Sequence, residues 1–247
     1  MGTARRPGRA RRAAALACLW LAAAVPPAAA DAEKGRAALE KGDYKTALVE
    51  LNRDAKAGDA GAMFILGQLY AEGKGVKADH KVAFQWMERA ARLDHALAQS
   101  SLAMFYSEGI GTARDDAKSL EWGRKAADAG VLTAQFIMGV RYNNGVGVAR
   151  DAAEAVRWWT RAAERGFIRA QVALASVLSQ RAGAGAASPE QASADRVEAA
   201  KWLIVAGAER LPGAEKMLPE LKAKMTEAEV EAAEKQAGEW RPPVAPQ

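Results

Sequence analysis

The sequence predicts an all-α protein in which one helix–loop–helix unit is copied and stacked. Two aromatic series keep a spacing of 36 residues: Tyr70, Tyr106 and Tyr142, and Trp86, Trp122 and Trp158. The same spacing carries two glycines and an aspartate through the copies, starting from Gly73, Gly75 and Asp79. A period this long marks a supersecondary unit that buries its apolar face against its neighbours.

Residues 1–30 have the layout of a cleavable secretory signal peptide. Five arginines precede an apolar run at 13–24, and small residues end the segment at Ala30. The run is too short to span a bilayer, so we predict cleavage after Ala30 and no stable membrane insertion afterwards. The predicted location is periplasmic or secreted, with a retained membrane anchor as the alternative. Cys18 is interpreted as a small apolar residue of this leader.

Removing the leader changes what charge and cysteine content imply. Five of the 35 basic residues and none of the 30 acidic ones lie in it, which leaves 30 bases against 30 acids. A neutral mature chain gives no support for nucleic acid as a partner. The single cysteine is removed as well, so the apolar core must supply the stability, although export leads to a disulfide-permissive compartment.

The array is predicted to begin with a degenerate unit at 31–58. The short turn Gly42-Asp43-Tyr44 separates its two helical stretches. Small and apolar residues of the second stretch match the next unit at a spacing of 36: Ala47, Leu51 and Ala55.

Three clear units follow at 59–94, 95–130 and 131–166. In the first of these, one helical face is formed by residues three and four apart: Ala62, Leu66, Gly67 and Tyr70. The glycine-rich turn 73–76 ends that helix, because glycine reaches positive φ without steric cost. Asp79 is placed to cap a second helix, whose inward face is Ala83, Trp86, Met87 and Ala90.

The chain is predicted to close with a degenerate unit at 167–210 and capping helices at 211–240. Leu178 takes the tyrosine position, and a Gly/Ala/Ser-rich connector at 181–194 delays the next helix, after which Asp195 matches Asp151 and Trp202 matches Trp158. Ser188 caps a short turn inside the connector. Thr226 and Glu229 form a capping box ahead of Ala233 and Trp240, and 241–247 form a loose tail.

These residues resemble the Sel-one-like repeat family, a relative of the tetratricopeptide repeats. The pattern Ala-x3-Leu-Gly-x2-Tyr-x2-Gly-x-Gly-Val, then Asp, then Ala-x2-Trp-x3-Ala-Ala fits 62–91, and the next two units with changes such as Ala103 for Gly67. The resemblance covers about residues 32–210. It implies a right-handed α-solenoid whose first helices line a concave surface. Members typically act as adaptors in protein complexes, and many bacterial members are exported.

The other conspicuous residues do not form a pattern that is typical of a catalytic, cofactor or metal site. The aromatic series is interpreted as packing between helices and the glycine pairs as turns, because no Gly-Lys-Ser/Thr ending follows them. His80 and His95 stand apart from any carboxylate or cysteine cluster. No serine lies in a nucleophile elbow, and the mature chain has no thiol. We therefore predict no catalytic, cofactor or metal site.

The predicted function is a non-enzymatic scaffold in the bacterial cell envelope that binds a protein or peptide in the concave groove as a monomer. The alternatives are a glycan or small-ligand binder, or a β-lactam-interacting enzyme as linked to cysteine-rich relatives, whose cysteines this chain lacks. By analogy with tetratricopeptide repeats, nine positions that vary between copies should line the groove: Phe64, Gln68, Glu72, Ser100, Met104, Glu108, Phe136, Val140 and Asn144. Closure of this strip against the next unit is the competing interpretation.

Overall fold

The computed structural model describes residues 27–184, 188–212 and 214–242, with side chains from Lys34 onward except at 184 and 209. Over these ranges the chain is helical and contains no strand, which confirms the all-α prediction. Helices α1 to α12 span Pro27–Glu40, Tyr44–Lys56, Ala60–Glu72, His80–Arg92, Ala96–Glu108, Asp116–Asp128, Leu132–Asn144, Ala152–Ala163, Ile168–Ala184, Pro189–Ala206, Met217–Lys222 and Glu227–Glu239. A 3₁₀ turn at Ala208–Arg210 follows α10.

Helices pack in chain order, as a right-handed α-solenoid requires. Each helix from α1 to α9 contacts the next one, and α12 returns to α10. The predicted leader lies outside the described residues up to residue 26, and most of the predicted tail lies outside them after residue 242. α1 begins at Pro27, so the predicted cleavage after Ala30 falls within its first turn.

The three clear units share one turn between their two helices. Gly73, Gly109 and Gly145 end α3, α5 and α7 in the left-handed conformation, with φ of 69°, 72° and 70°, as glycine permits. A Cβ on Gly111 would lie 2.0 Å from the carbonyl oxygen of His80. The degenerate unit at 31–58 is counted as the first, so Gly111 belongs to the third unit, 95–130. Its turn touches the start of α4 so closely that only glycine fits.

The predicted aspartate caps are confirmed in all three units. Side-chain oxygens of the caps accept backbone N–H groups from the first turns of α4, α6 and α8: Asp79, Asp115 and Asp151. The backbone N–H of each aspartate also donates, at 2.9 Å, to the carbonyl oxygen of the preceding tyrosine: Tyr70, Tyr106 and Tyr142. These bonds fix the exit of the first helix and the start of the second.

A buried glutamine joins each later unit to the one before it. Gln99, Gln135 and Gln171 donate from Nε2 to backbone carbonyl oxygens near the ends of α4, α6 and α8, at 3.3, 3.0 and 3.1 Å. The acceptors are Ala91, Ala127 and Ala163, the second alanines of the Ala-Ala pairs that end the repeated pattern. All six alanines of these pairs are 0% exposed, so the helices make close contact there.

Burial of the tryptophan series is less uniform than predicted. Trp158 and Trp202 are buried, at 5% and 1% exposure. Trp86 and Trp122 are only part-buried, although a cationic side chain lies over the ring in all four copies. Arg89 lies 4.6 Å from the ring centroid of Trp86, and the ammonium of Lys125 lies 4.2 Å from that of Trp122.

Near the end of the array the predicted connector at 181–194 is shorter than expected. α9 continues to Ala184, and Ser188 caps an α10 that already begins at Pro189. Asp195 therefore lies inside α10 and not at its N-terminus as Asp151 does in α8. There it is buried and accepts hydrogen bonds from the Arg181 guanidinium. The Arg181–Asp195 pair joins α9 to α10 and stabilises the additional helical turns.

The predicted closing helix is present and covers α10. Thr226 and Glu229 form the capping box of α12, and Trp240 meets Trp202 edge-on with ring centroids 6.0 Å apart. Arg196 Nη2 lies 2.5 Å from Glu229 Oε1, which ties α10 to α12. Because of the hydrogen bond from Arg196, the pKa of Glu229 falls to about 2.

We expect the uneven burial of the tryptophans to appear in unfolding free energies. Trp202→Ala should cost about 3–5 kcal/mol, because a fully buried indole leaves a large cavity. Trp122→Ala should cost about half as much, since much of its ring already meets solvent or Lys125. Denaturant titrations followed by circular dichroism would measure both values. Equal losses at the two positions would contradict the difference in burial.

We also expect acid to detach the closing helix. The folded-state pKa of Glu229 lies below its unfolded value, so its stabilisation is present above about pH 4.5 and is lost as the pH falls toward about 2. Glu229→Gln should therefore lower the unfolding free energy by about 2–3 kcal/mol at neutral pH, with the gap to wild type closing over that window. A gap independent of pH would show that the Arg196 pair is not the cause.

Candidate functional site

The nine predicted groove positions lie on α3, α5 and α7, and their apolar members differ in how freely they are presented. Phe64 and Phe136 are part-buried, while Met104 is 46% exposed. The Phe64 ring stacks on His95 with centroids 4.8 Å apart, and the Phe136 ring packs on Phe167 at 5.7 Å. Both phenylalanines thus also close against the next unit, whereas Met104 presents its side chain to solvent.

The remaining predicted positions are mainly polar, and they too differ in how far their side chains are exposed. Gln68, Glu72, Glu108 and Asn144 are exposed, and Glu72 pairs with Lys74 at 2.6 Å. Val140 is part-buried against the C-terminal core. Of the nine, the members from the third unit come together in a cleft: Ser100, Met104 and Glu108.

This cleft separates α5 from α7 and has a volume of about 400 Å³. Its walls are formed mostly by small or apolar side chains of those two helices, including Ala103, Met104 and Ile137. Ser119 and Gly123 of α6 also line it. Ile137 is 48% exposed, so with Met104 it places a large apolar side chain on each wall.

A departure from the repeat explains why the space is open. In the second unit Met87 packs onto Gly67, where a Cβ would come within 2.9 Å of its Cε. In the fourth unit Trp159 packs onto Gly139 in the same way, at 2.3 Å. The third unit has glycine at the position of Met87 and Trp159, and a Cβ there would lie 3.7 Å from the Ala103 methyl and 4.0 Å from Met138 Sδ, so no close contact fills the space.

Two further departures place a cation beside this space. Arg141 stands where the other clear units have the buried Leu69 and Phe105, and Ser119 stands where they have the buried Ala83 and Ala155. Arg141 donates from Nη2 to Ser119 Oγ at 2.6 Å, which joins α7 to α6. Partial burial lowers the pKa of Arg141, and the charge of Asp116 partly offsets this effect. Arginine remains charged at all physiological pH values.

A second apolar cleft, of about 450 Å³, lies between α7, α9 and the segment after α10. Phe136 lines it together with Ile168, Val172, Leu211 and Met217. Ile168 is 49% exposed. First helices of successive units therefore carry exposed apolar side chains from Met104 to Ile168.

Arg141, Gly123, Ser119 and Ile137 were not among the predicted site residues. For the first three, the available signal was their departure from the 36-residue pattern, because Met87 aligns with Gly123 and Leu69 aligns with Arg141. The described residues contain no group of three His, Cys, Asp or Glu side chains that could hold a metal ion. In the same ranges, every helix is too short or too polar to cross a membrane.

Comparisons with known proteins agree with this architecture. The Sel1 repeat model matches residues 60–95, 96–131 and 132–167. The chain is 26% identical to c5321, a protective antigen present in uropathogenic Escherichia coli strains that displays an SLR fold, with a TM-score of 0.66 over 86% of this chain and 44% of that one. The chain thus spans less than half of that antigen.

A second solved structure, a Sel1 repeat protein from Oxalobacter formigenes, is 25% identical, with a TM-score of 0.64 over 84% of this chain and 82% of that one. No curated protein matches the chain significantly. The chain therefore contains three consecutive Sel1 repeats, each a helix pair with a 36-residue period, as the sequence pattern predicted.

Proposed function

We propose that this protein is a non-enzymatic scaffold that binds a peptide segment of a partner protein along the first helices of its units. The observation that carries this proposal is the placement of variable residues. Positions that build the fold repeat from unit to unit, whereas the positions of Met104, Ile137 and Ile168 vary between units and expose large apolar side chains on one run of helices. Sel1 repeat proteins generally act as protein-interaction scaffolds.

The size of the surface suits a side-chain anchor. A cleft of about 400 Å³ between α5 and α7 is large enough for one leucine, methionine or phenylalanine side chain. Burial of such a side chain contributes about 1.5–3 kcal/mol. Two or three anchors, with hydrogen bonds from the polar rim, would reach the micromolar range after the entropy of association is subtracted.

We place this activity in the bacterial cell envelope, because the sequence begins with a predicted secretory leader. The mature protein would then act as a periplasmic or secreted monomer. Its neutral charge suits a partner recognised by shape and local polarity, and not by a large field of one sign.

A photo-crosslinking amino acid at Met104 tests the binding surface directly. We expect crosslinks to a discrete partner in cells, because this side chain lies at the proposed interface. Val49 on α2 is the matched control, since it is an apolar residue with 66% exposure outside the first helices of the clear units. Gel shifts and mass spectrometry would identify the adducts. Equal or stronger crosslinking at Val49 would reject the proposed surface.

Intact-mass measurement of the protein recovered from the envelope tests the location. We expect a mature chain that begins at Asp31, because cleavage after Ala30 follows the small residues of the leader. Replacing Ala28 and Ala30 by bulky residues should leave the full-length precursor. Recovery of the uncleaved wild-type chain in the membrane fraction would support a retained anchor instead.

A further inference from the structure

Four departures from the repeat meet at a single place. Each of these residues differs from its counterparts in the other two clear units, and all line the cleft between α5 and α7: Ala103, Ser119, Gly123 and Arg141. Two of them remove side-chain volume or fail to replace it, and the other two introduce a hydrogen-bonded polar pair. Independent changes at scattered sequence positions thus combine to open one space and to place a cation beside it.

The cation has donors to spare. Arg141 uses one guanidinium N–H for Ser119 and forms no ion pair within the described residues. Asp116 acts on its charge from a distance, but that carboxylate is bonded to Arg114 at 2.9 Å. Guanidinium groups carry five N–H donors in a planar fork that matches a carboxylate. In a part-buried position an unpaired charge is costly, and a carboxylate from a partner would relieve that cost.

We propose that this cleft binds an extended partner segment by inserting one aliphatic side chain between α5 and α7 and pairing a neighbouring Asp or Glu side chain with Arg141. The proposal rests on the proposed peptide-binding function and specifies its ligand chemistry. Leucine and methionine suit the space, because Met87 fills the equivalent volume of the second unit from within.

Charges around the cleft restrict this ligand further. Glu108, on α5, lines the same cleft as Arg141, on α7. The side of the cleft near Glu108 therefore disfavours a second carboxylate and favours backbone N–H donors of the segment. A single acidic residue beside the apolar anchor fits this arrangement, whereas a run of acidic residues does not.

The experiment uses the complete mature chain and a display library of random twelve-residue peptides flanked on both sides by carrier sequence. Enriched sequences are then synthesised with acetylated and amidated ends, so that side chains supply the only carboxylates. We expect Leu or Met within one or two positions of a single Asp or Glu. Affinities are measured by fluorescence anisotropy against the wild-type protein and variants.

The key variant is Ala103→Gly/Gly123→Met, which copies the Gly67 and Met87 pair of the second unit and fills the cleft from within. We expect it to keep or raise the melting temperature while it weakens peptide binding about tenfold or more. Gly123→Ala is the conservative version, because its Cβ would meet Ala103 at 3.7 Å, an ordinary contact distance. Unchanged affinity in a well-folded double variant would overturn the proposal.

Arg141→Gln tests the charge, with Arg157→Gln, an exposed arginine of α8, as its control. We expect about a tenfold loss for Arg141→Gln and none for the control. Replacing the acidic residue of the peptide by its amide should weaken binding to wild type but not to Arg141→Gln, as a double-mutant cycle requires.

The possible results distinguish the proposed ligand chemistry of the cleft from the more general proposal that the protein binds peptides. Enriched peptides that lack an acidic residue and tolerate Arg141→Gln would overturn the inference and leave peptide binding in place. Failure to enrich any peptide would reject both. Binding that disappears when the peptide C-terminus is amidated would overturn the assignment of the carboxylate to a side chain.

Discussion

The buried glutamine at each junction is the interaction on which the stack depends. Gln99, Gln135 and Gln171 each reach back to a backbone carbonyl near the end of the preceding second helix. Each of these carbonyl oxygens also accepts a backbone N–H, from Asp94, Gly130 or Gly166. The glutamine adds a second bond and satisfies its own buried amide N–H, which would cost about 1–3 kcal/mol without a partner. Because the bond is directional, it fixes how one unit sits on the next, and the first helices then follow one another along a single surface.

Within a unit, the two helices pack closely because a small residue on one faces a large side chain on the other. A glycine on the first helix accepts a large side chain from the second, as Gly67 accepts Met87 and Gly139 accepts Trp159. In the third unit (95–130) the second helix has Gly123 in place of the large side chain, and the space remains open to the surface. The fold tolerates the loss because the small-residue contacts and the glutamine bond still hold the unit in place. When several independent contacts hold a unit in place, the loss of packing at one position need not unfold it, and the resulting cleft is available to a ligand.

The period predicted the fold well because each repeated residue has a local physical role. Asp79 and its copies cap helices, Gly73 and its copies take positive φ, and the paired alanines allow close contact. These roles depend on neighbours a few residues away, so a sequence pattern reveals them. The extension of α10 to Pro189 was missed, because its stabilising partner is Arg181, on the preceding helix.

The residues of the candidate site were predicted only in part, for a related reason. Met104 and Glu108 were identified from their position on the first helix, and both line the cleft. Arg141 was missed because its importance depends on Ser119, which lies 22 residues earlier and on another helix. The aromatic anchors Phe64 and Phe136 were expected to face a ligand, yet their rings also pack on His95 and Phe167.

Chemical-shift mapping of the isotope-labelled protein with a library-selected peptide tests the central claim most directly. Binding to the first helices predicts that perturbed amide and methyl signals cluster on α5 and α7, around Met104 and Ile137. Signals of Val49 and Leu93, which are equally apolar and exposed, should stay in place. Perturbations centred on the second helices, with those of α5 and α7 unchanged, would contradict the account.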